Sequence, residues 1–489
     1  MSVADRLKDK TLYRTASFID GAWVQGEGAK PILNPANNEM IAEVGDVGAD
    51  GARSAIAAAA TAFETWKRTS PFERSKLLMR WHELILENAA DLAVLITLEM
   101  GKTQREAMGE VVYGAAFIEW SAEEAKRIHG ETMQPPFPNS RGWTIHQPVG
   151  VVACITPWNF PNAMITRKCA PALAAGCTMV IKPAPETPLS ALALAELAQR
   201  AGIPDGVFNV VCGDAQVLGP VMTSAPDVKM IGFTGSTAVG KLLMRQAADG
   251  VKRVALELGG NAPFIVMDDA DIEAAADGVI ASKFRVSGQT CVSANRIIVQ
   301  SGIADKFVAA LEARVSRLKA GDGFDAGSDL GPLIHHEAVE RVDALVRNAR
   351  DNGARIITGG KPLVAELGGA FYAPTLIEGG NPTMDLACFE IFGPVASIYR
   401  VDSEAEILRL ANDTPYGLAA YLYTRDVNRV YRITEGLDYG MIGVNAPMVG
   451  SASTPFGGMK ESGIGREGGK WGVEEFSELK YVLLGGVEA

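Results

Sequence analysis

Cys291 stands in the run Ser287-Gly288-Gln289-Thr290-Cys291-Val292-Ser293-Ala294-Asn295, a small, polar, glycine-containing stretch where a sulfur can meet a ligand. Upstream, Leu256-Glu257-Leu258-Gly259-Gly260-Asn261 carries one carboxylate in an uncharged run ahead of two glycines. A thiol nucleophile with a separate carboxylate is the equipment for covalent catalysis followed by hydrolysis. A lone cysteine is more often a small buried hydrophobe, so its neighbours must decide. A free thiol with a pKa of ~8.5 is mostly protonated at neutral pH and needs positive or donor-rich surroundings to react.

Further motifs follow apolar runs that read as strands. Asn159, in Pro157-Trp158-Asn159-Phe160-Pro161, is an amide donor for a developing oxyanion, or else part of a proline-bracketed turn. Phe233-Thr234-Gly235-Ser236-Thr237-Ala238-Val239-Gly240 offers close backbone approach and a helix N-terminus to a phosphate, although it is neither G-x-G-x-x-G nor a Walker loop. A capped turn reads equally well there. Lys182, in Lys182-Pro183-Ala184-Pro185, can hold a ribose or phosphate at a strand's carboxyl end, or be solvated. Glu390-Ile391-Phe392-Gly393-Pro394 pairs a carboxylate suited to sugar hydroxyls with an aromatic face, or is a loop.

These residues need a scaffold. Up to about residue 130 the chain reads as helix-rich, with 3.6-residue apolar spacing over 49–66 and 70–100. Ser70-Pro71-Phe72-Glu73 is a helix start: a cap, a proline, and a glutamate three residues on. From 151 the texture changes to strands at 151–156, 178–182, 207–212, 230–234 and 251–256, alternating with helices at 163–175, 189–201 and 240–248. That rhythm implies βαβ units and a mostly parallel sheet. A second α/β block spans 261–444, with strands at 264–267 and 296–300 and helices at 270–282 and 303–318. Extended pieces at 135–147 and 479–484 stand outside this rhythm and are candidates for pairing between subunits.

The 489 residues suffice for two to four domains at about 150 residues each. A net charge of −12 argues against a nucleic-acid surface or an anionic membrane surface. No apolar run reaches the ~18 residues of a membrane span. The opening Met1-Ser2-Val3-Ala4-Asp5-Arg6 has neither the apolar core of a signal peptide nor the character of a transit peptide. Six scattered cysteines, Cys154, Cys169, Cys177, Cys212, Cys291 and Cys388, read as reduced thiols, with the cytoplasm as the default compartment. The five histidines show no metal-ligand spacing and leave a Cys–His hydrolase unsupported, so no metal is expected.

Taken in order, P-W-N-F-P, K-P-A, F-T-G-S-T-x-x-G, L-E-L-G-G-N, G-Q-T-C, E-x-F-G-P and Pro455-Phe456-Gly457-Gly458 resemble the aldehyde dehydrogenase superfamily over essentially the whole chain. The resemblance implies an α/β fold with two doubly wound domains and a small β oligomerisation arm. The cofactor domain would comprise 1–130 and 151–256, the catalytic domain 257–448, the arm 131–150 and 472–489, and a returning segment 449–471. It implies attack on the aldehyde by Cys291, an oxyanion held by Asn159 and the Cys291 backbone N–H, hydride transfer to a nicotinamide, and hydrolysis of the thioester by water that Glu257 activates. Thr156, Trp158, Lys182, Pro185, Gly235, Ser236, Leu258, Glu390 and Phe392 would hold NAD or NADP.

Within the superfamily, Met164-Ile165-Thr166-Arg167-Lys168, Ala281-Ser282-Lys283-Phe284-Arg285, Gly463-Ile464-Gly465-Arg466-Glu467-Gly468 and the stretch 474–481 are most similar to succinate-semialdehyde dehydrogenases. That implies a distal carboxylate bound by Arg167 and Arg285, which guanidinium geometry suits. Ser451 aligns loosely with a carboxylate-binding serine, in a loop, 447–454, that departs from the family pattern. The arginines would equally accept a sulfonate, so sulfolactaldehyde and glutarate semialdehyde are rival substrates. Ser293 stands where some relatives carry a redox-switch cysteine, so no such switch is expected. NAD-preferring relatives often carry Glu at the position of Pro185 and NADP-preferring ones Ser; proline gives neither repulsion nor a hydrogen bond, implying dual use. Glu257 argues against CoA-acylating chemistry, and Cys291, Glu257 and Asn159 together argue against a catalytically retired binding protein. A homo-oligomer, dimer or dimer of dimers (homotetramer), is expected.

Overall fold

The computed structural model describes residues 3–487. Its first sheet runs, in spatial order, Gly463–Ile464, Arg253–Glu257, Val228–Thr234, Val151–Ile155, Thr178–Lys182, Phe208–Val210, Ser17–Ile19 and Ala22–Val24. The strands from Arg253–Glu257 to Phe208–Val210 are mutually parallel, and antiparallel strands flank them at both edges. Successive residues of one strand enter different cores. Val152 and Cys154 pack with Leu173 and Leu194, whereas Val151 and Ala153 pack with Ile56 and Leu218. Helices therefore cover both faces, which explains uninterrupted apolar runs in place of alternation.

The second sheet is ordered Arg355–Thr358, Thr375–Glu378, Val395–Val401, Ala294–Gln300, Ala262–Val266, Ala419–Tyr423 and Met441–Val444, parallel except at its first edge. It too is covered twice, with Phe264 and Val266 on one side and Ile265 on the other. In a third, small sheet, Ser477–Gly485 pairs antiparallel with Ser140–Pro148 from Ser477↔Pro148 to Gly485↔Ser140, and Thr132–Met133 pairs with the same strand. The two extended pieces read from the sequence are thus partners within the chain. The ends of the expected ranges, residues 1–2 and 488–489, lie outside the described residues.

Several local expectations need correction. The helix-rich N-terminal part also holds strands: after the short helix Val3–Arg6, four strands lie between Ser17 and Asp46 before the helix Gly48–Trp66 begins. Strands this short, one of them buried at every position, carry no readable period. The expected helix over 70–100 is two helices, Pro71–Glu87 and Ala89–Met100, because the Asn88 side chain turns back to donate to the Leu84 carbonyl at 2.8 Å. Ser70 does cap the first, accepting from the Glu73 N–H at 3.2 Å. The helix expected over 240–248 starts at Thr237, with Ser236 as its cap.

The helix expected over 270–282 is regular only from Ile272 to Val279. It continues as a π-turn, Ile280–Phe284, and a tight turn, Arg285–Gly288, in which Val286 and Ser287 have φ of 53° and 55°. Left-handed backbone at a β-branched residue is strained, and helix interruptions of this kind concentrate at functional sites. This turn swings the chain from Arg285 into Cys291.

Parallel strands put all their carboxyl ends at one edge. Val151–Ile155 leads into Thr156–Asn159, Val228–Thr234 into Gly235 and Ser236, and Arg253–Glu257 into Leu258 and Gly259. These ends are tied together: Thr156 N–H donates to the Lys182 carbonyl and Gly235 N–H to the Glu257 carbonyl, both at 3.0 Å. Ligands of open α/β sheets bind at this edge.

Candidate active site

Cys291 is half-buried and belongs to the walls of two cavities. One, of about 280 Å³, is lined by Glu106, Tyr113, Met164, Arg167, Arg285, Met448 and Phe456 among others. The other, of about 300 Å³, is lined by Trp158, Asn159, Thr234, Gly235, Ser236, Leu258, Glu390, Arg341 and Phe392. The thiol sits where they meet. Burial pushes it up to about 12; Arg167 acts against that shift, while Glu390 and Glu257 reinforce it. The resting group is therefore a neutral thiol.

Asn159 is buried, its Nδ2 donates to the Gln289 carbonyl at 2.9 Å, and its Oδ1 has no partner. The second Nδ2 hydrogen is left for the cavity that Asn159 helps to line. Glu257 is buried with Oε2 unpartnered, and it lines neither cavity. It faces Gly457, where an added Cβ would stand 3.0 Å from Glu257 Oε1. Burial, and then the charge of Glu467, hold the Glu257 carboxyl well above the ordinary range. Glu467 keeps its charge: burial works against it, but Arg167 and Lys168 outweigh burial and lower it. Lys168 Nζ donates to Glu467 Oε1 at 2.6 Å. Two carboxylates near one another cannot both ionise freely, so the one with cationic partners holds the charge.

The two arginines differ. Arg167 is fully buried, ion-paired with Glu467, and 4.1 Å from the Phe456 ring centroid. Arg285 is half-buried, its guanidinium 5.6 Å from the Phe160 ring centroid and its Nη1 3.5 Å from Met448 Sδ. Among the described residues it makes no ion pair. The turn carrying it is fixed by Glu106 Oε1, which accepts from the Val286 N–H at 2.7 Å. Ser451 is not brought to this cavity. Its hydroxyl lies 2.9 Å from Thr454 Oγ1, and its neighbour Gly450 forms the wall instead.

In the second cavity Trp158 and Phe392 meet edge to face, 5.5 Å between centroids, with Phe392 at φ 49°. Glu390 Oε1 accepts from the Gly260 N–H at 3.2 Å, and burial pushes its carboxyl up to about 7. Thr156, Lys182 and Pro185 stand outside this cavity. Lys182 is buried with Nζ donating to the Pro183 carbonyl at 3.2 Å, and Pro185 lines a small separate cleft with Lys30 and Asp46. Among the described residues no group of three His, Cys, Asp or Glu side chains could hold a metal ion, and no helix is long and apolar enough to cross a membrane.

A profile of the aldehyde dehydrogenase family matches residues 23–482. The chain belongs to that family. As an aldehyde dehydrogenase it is 50% identical to the glutarate-semialdehyde dehydrogenase of Pseudomonas aeruginosa, over 99% of this chain and 100% of that one. It is 51% identical to the 3-sulfolactaldehyde dehydrogenase of Pseudomonas putida, over 99% of each. Among solved structures, the succinate-semialdehyde dehydrogenase of Burkholderia pseudomallei superposes with a TM-score of 0.97 at 49% identity, covering 98% of this chain and 99% of that one. This aldehyde dehydrogenase uses NAD or NADP as oxidant.

Reasoning from sequence missed Glu467, Lys168 and Arg341 as members of the site. Lys168 and Glu467 were visible inside matched motifs, but nothing in either motif signals that they pair across 299 positions. Arg341, on the helix His336–Asp351, had no signal; it donates to the Glu390 carbonyl at 3.1 Å.

Proposed function

We propose that this aldehyde dehydrogenase oxidises a small anionic aldehyde, succinate semialdehyde first, to its acid without acylating CoA. The observation that carries the reading is Arg285, a guanidinium without an ion pair among the described residues, in the same cavity as Cys291 and Arg167. In a chain of net charge −12, local cations are needed to hold an anionic substrate. Glutarate semialdehyde and sulfolactaldehyde present the same anion at another length or geometry, and relatives named for them are equally similar.

The Cys291 thiol gives up its proton to solvent in the cavity, its Sγ bonds to the aldehyde carbon, and the carbonyl oxygen takes up the negative charge. The second Nδ2 hydrogen of Asn159 and the Cys291 N–H donate to that oxygen. The residues of the second cavity fit a dinucleotide: Thr234 Oγ1 is buried there without a partner, Glu390 offers a carboxylate, and a Cβ at Gly259 would come within 2.9 Å of Glu390 Oε2. Bound there, NAD or NADP would supply the acceptor for the hydride of the substrate carbon, and Cys291 holds the acyl group that oxidation leaves as a thioester. Glu257 takes a proton from the water that opens this thioester and frees the acid. Trp158, Gly235, Ser236, Leu258, Glu390 and Phe392 form the cofactor's cradle, with Thr156, Lys182 and Pro185 at its far end. The absence of charge and side-chain donor at Pro185 supports use of both dinucleotides.

We assign 1–130 and 151–256 to cofactor binding and 257–448 to catalysis. The strand Gly463–Ile464 of the segment 449–471 completes the edge of the cofactor sheet. Leu479, Tyr481 and Leu483 alternate along one face of Ser477–Gly485 and are exposed, which supports a homo-oligomer, dimer or dimer of dimers, built on the arm. Six free cysteines support a reducing, cytoplasmic setting. Initial rates with succinate semialdehyde, glutarate semialdehyde, sulfolactaldehyde and a neutral aldehyde of similar length test the reading. One anionic aldehyde leading in kcat/KM names the head group; a neutral aldehyde leading refutes the anion clamp.

A further inference from the structure

A fully buried ion pair stands at the wall of the cysteine's cavity, which Glu110 helps to line. Lys102, just before the helix Gln104–Ala125, and Glu110, on that helix, pair directly, and neither side chain has any exposure. Both then reach the same loop. Lys102 Nζ donates to the Asn159 carbonyl at 2.8 Å and lies 4.0 Å from the Phe160 ring centroid. Glu110 Oε1 accepts from the Asn162 N–H at 2.8 Å and the Ala163 N–H at 3.1 Å, at the start of the helix Ala163–Ala175 that bears Arg167. Among the described residues the Asn162 side-chain amide makes no hydrogen bond of its own, so the polar link between this loop and the helix before it runs through the pair.

Replacing a buried ion pair by apolar side chains of equal volume is often neutral or stabilising, so stability is a poor reason for its presence. Apolar side chains could not bind the Asn159 carbonyl or the Asn162 and Ala163 N–H groups. Small displacements of a group that must meet a developing charge are costly in rate. We propose that Lys102 and Glu110 are positioning residues that set the backbone of residues 159–163 and, through it, the place of the Asn159 amide. The proposal rests on the reading of Asn159 as the oxyanion donor. Neither residue touches the reacting atoms; each acts through the loop.

A double-mutant cycle tests this in the full-length enzyme. Glu110→Gln keeps an oxygen for the two N–H groups and removes the charge facing Lys102, and Lys102→Met removes the donor to the Asn159 carbonyl at nearly constant volume. Each is made alone and with Asn159→Ala, and kcat and KM are measured well below each variant's Tm with an anionic and a neutral aldehyde. Asn159→Ala alone should lower kcat about a hundredfold. Lys102→Met should lower kcat about tenfold or more, by the same factor for both aldehydes, but by less than about twofold when Asn159 is already alanine. Equal factors in both backgrounds would show a role independent of Asn159 and overturn the proposal while leaving the donor reading intact. No loss on Asn159→Ala would overturn both. If Lys102→Met fails to fold, Glu110→Gln carries the same cycle with the same outcomes.

Discussion

Arg167 Nη2 lies 2.5 Å from Glu467 Oε2, so one of the two cations in the substrate cavity is already engaged by a carboxylate. Burial opposes the charge of Arg167, and Glu467 together with Tyr113, Glu257 and Cys291 outweighs it, raising its pKa. In the proposed mechanism that pairing leaves Arg285 to meet the substrate's anion, while burial and then Glu467 raise the pKa of the Glu257 carboxyl.

The consequence is a pH dependence. Glu257 must be ionised to take a proton, and its pKa is raised, so activity should climb as pH rises through that value. Glu467 is one cause of the rise. Glu467→Gln removes its charge and leaves Arg167 and Lys168 unpaired; both changes lower Glu257. The rising limb of the pH–rate profile should therefore move to acid by about one unit or more. A limb that stays in place, or moves to alkaline pH, would show that Glu257 does not feel Glu467.

Glu257→Gln should separate the two halves of the reaction. Attack by Cys291 and oxidation do not need the carboxylate as base for water, whereas hydrolysis does. A rapid burst approaching one equivalent of NAD(P)H per subunit should precede a steady rate lowered by about 10²–10⁴-fold. Stopped-flow absorbance measures both phases. A steady rate near that of the unmodified enzyme would remove Glu257 from the mechanism.

Cofactor choice is open to the same kind of test. Pro185 lines a cleft with Lys30 and Asp46. Pro185→Glu introduces a carboxylate that repels a 2′-phosphate and can bond ribose hydroxyls, so the NADP/NAD ratio of kcat/KM should fall about tenfold or more. An unchanged ratio would place the adenosine ribose elsewhere.

The fold was legible where periods are long and uninterrupted. The helix Ala163–Ala175 and the strand Thr178–Lys182 stand at the expected positions, and the strand–helix alternation gives the parallel sheets. The short N-terminal strands were not, because three buried residues such as Ser17–Ile19 carry no period. Nor was the turn at Arg285–Gly288, since nothing in Val286 or Ser287 as residue types announces left-handed backbone. The motifs holding Cys291, Asn159, Glu390 and Phe392 were visible in the sequence, and the fold brings these residues to one cavity. The pairs Arg167–Glu467 and Lys102–Glu110 were not: charge pairing depends on which surfaces the topology brings together, and sequence shows charges without their partners. Ser451 was drawn in by loose alignment in a divergent loop, and its hydroxyl is spent on Thr454.

The central claim is that Arg285 selects an anionic aldehyde for attack by Cys291. The most direct measurement is kcat/KM for succinate semialdehyde and for butanal, a neutral aldehyde of equal chain length, in the unmodified enzyme and in Arg285→Ala. Losing a charge-assisted hydrogen bond of about 1.5–3 kcal/mol should lower the anionic substrate's kcat/KM by roughly ten- to a hundredfold and leave butanal within about threefold, collapsing the preference. Equal losses on both substrates, or a preference that survives, would contradict the account and make Arg285 a structural residue.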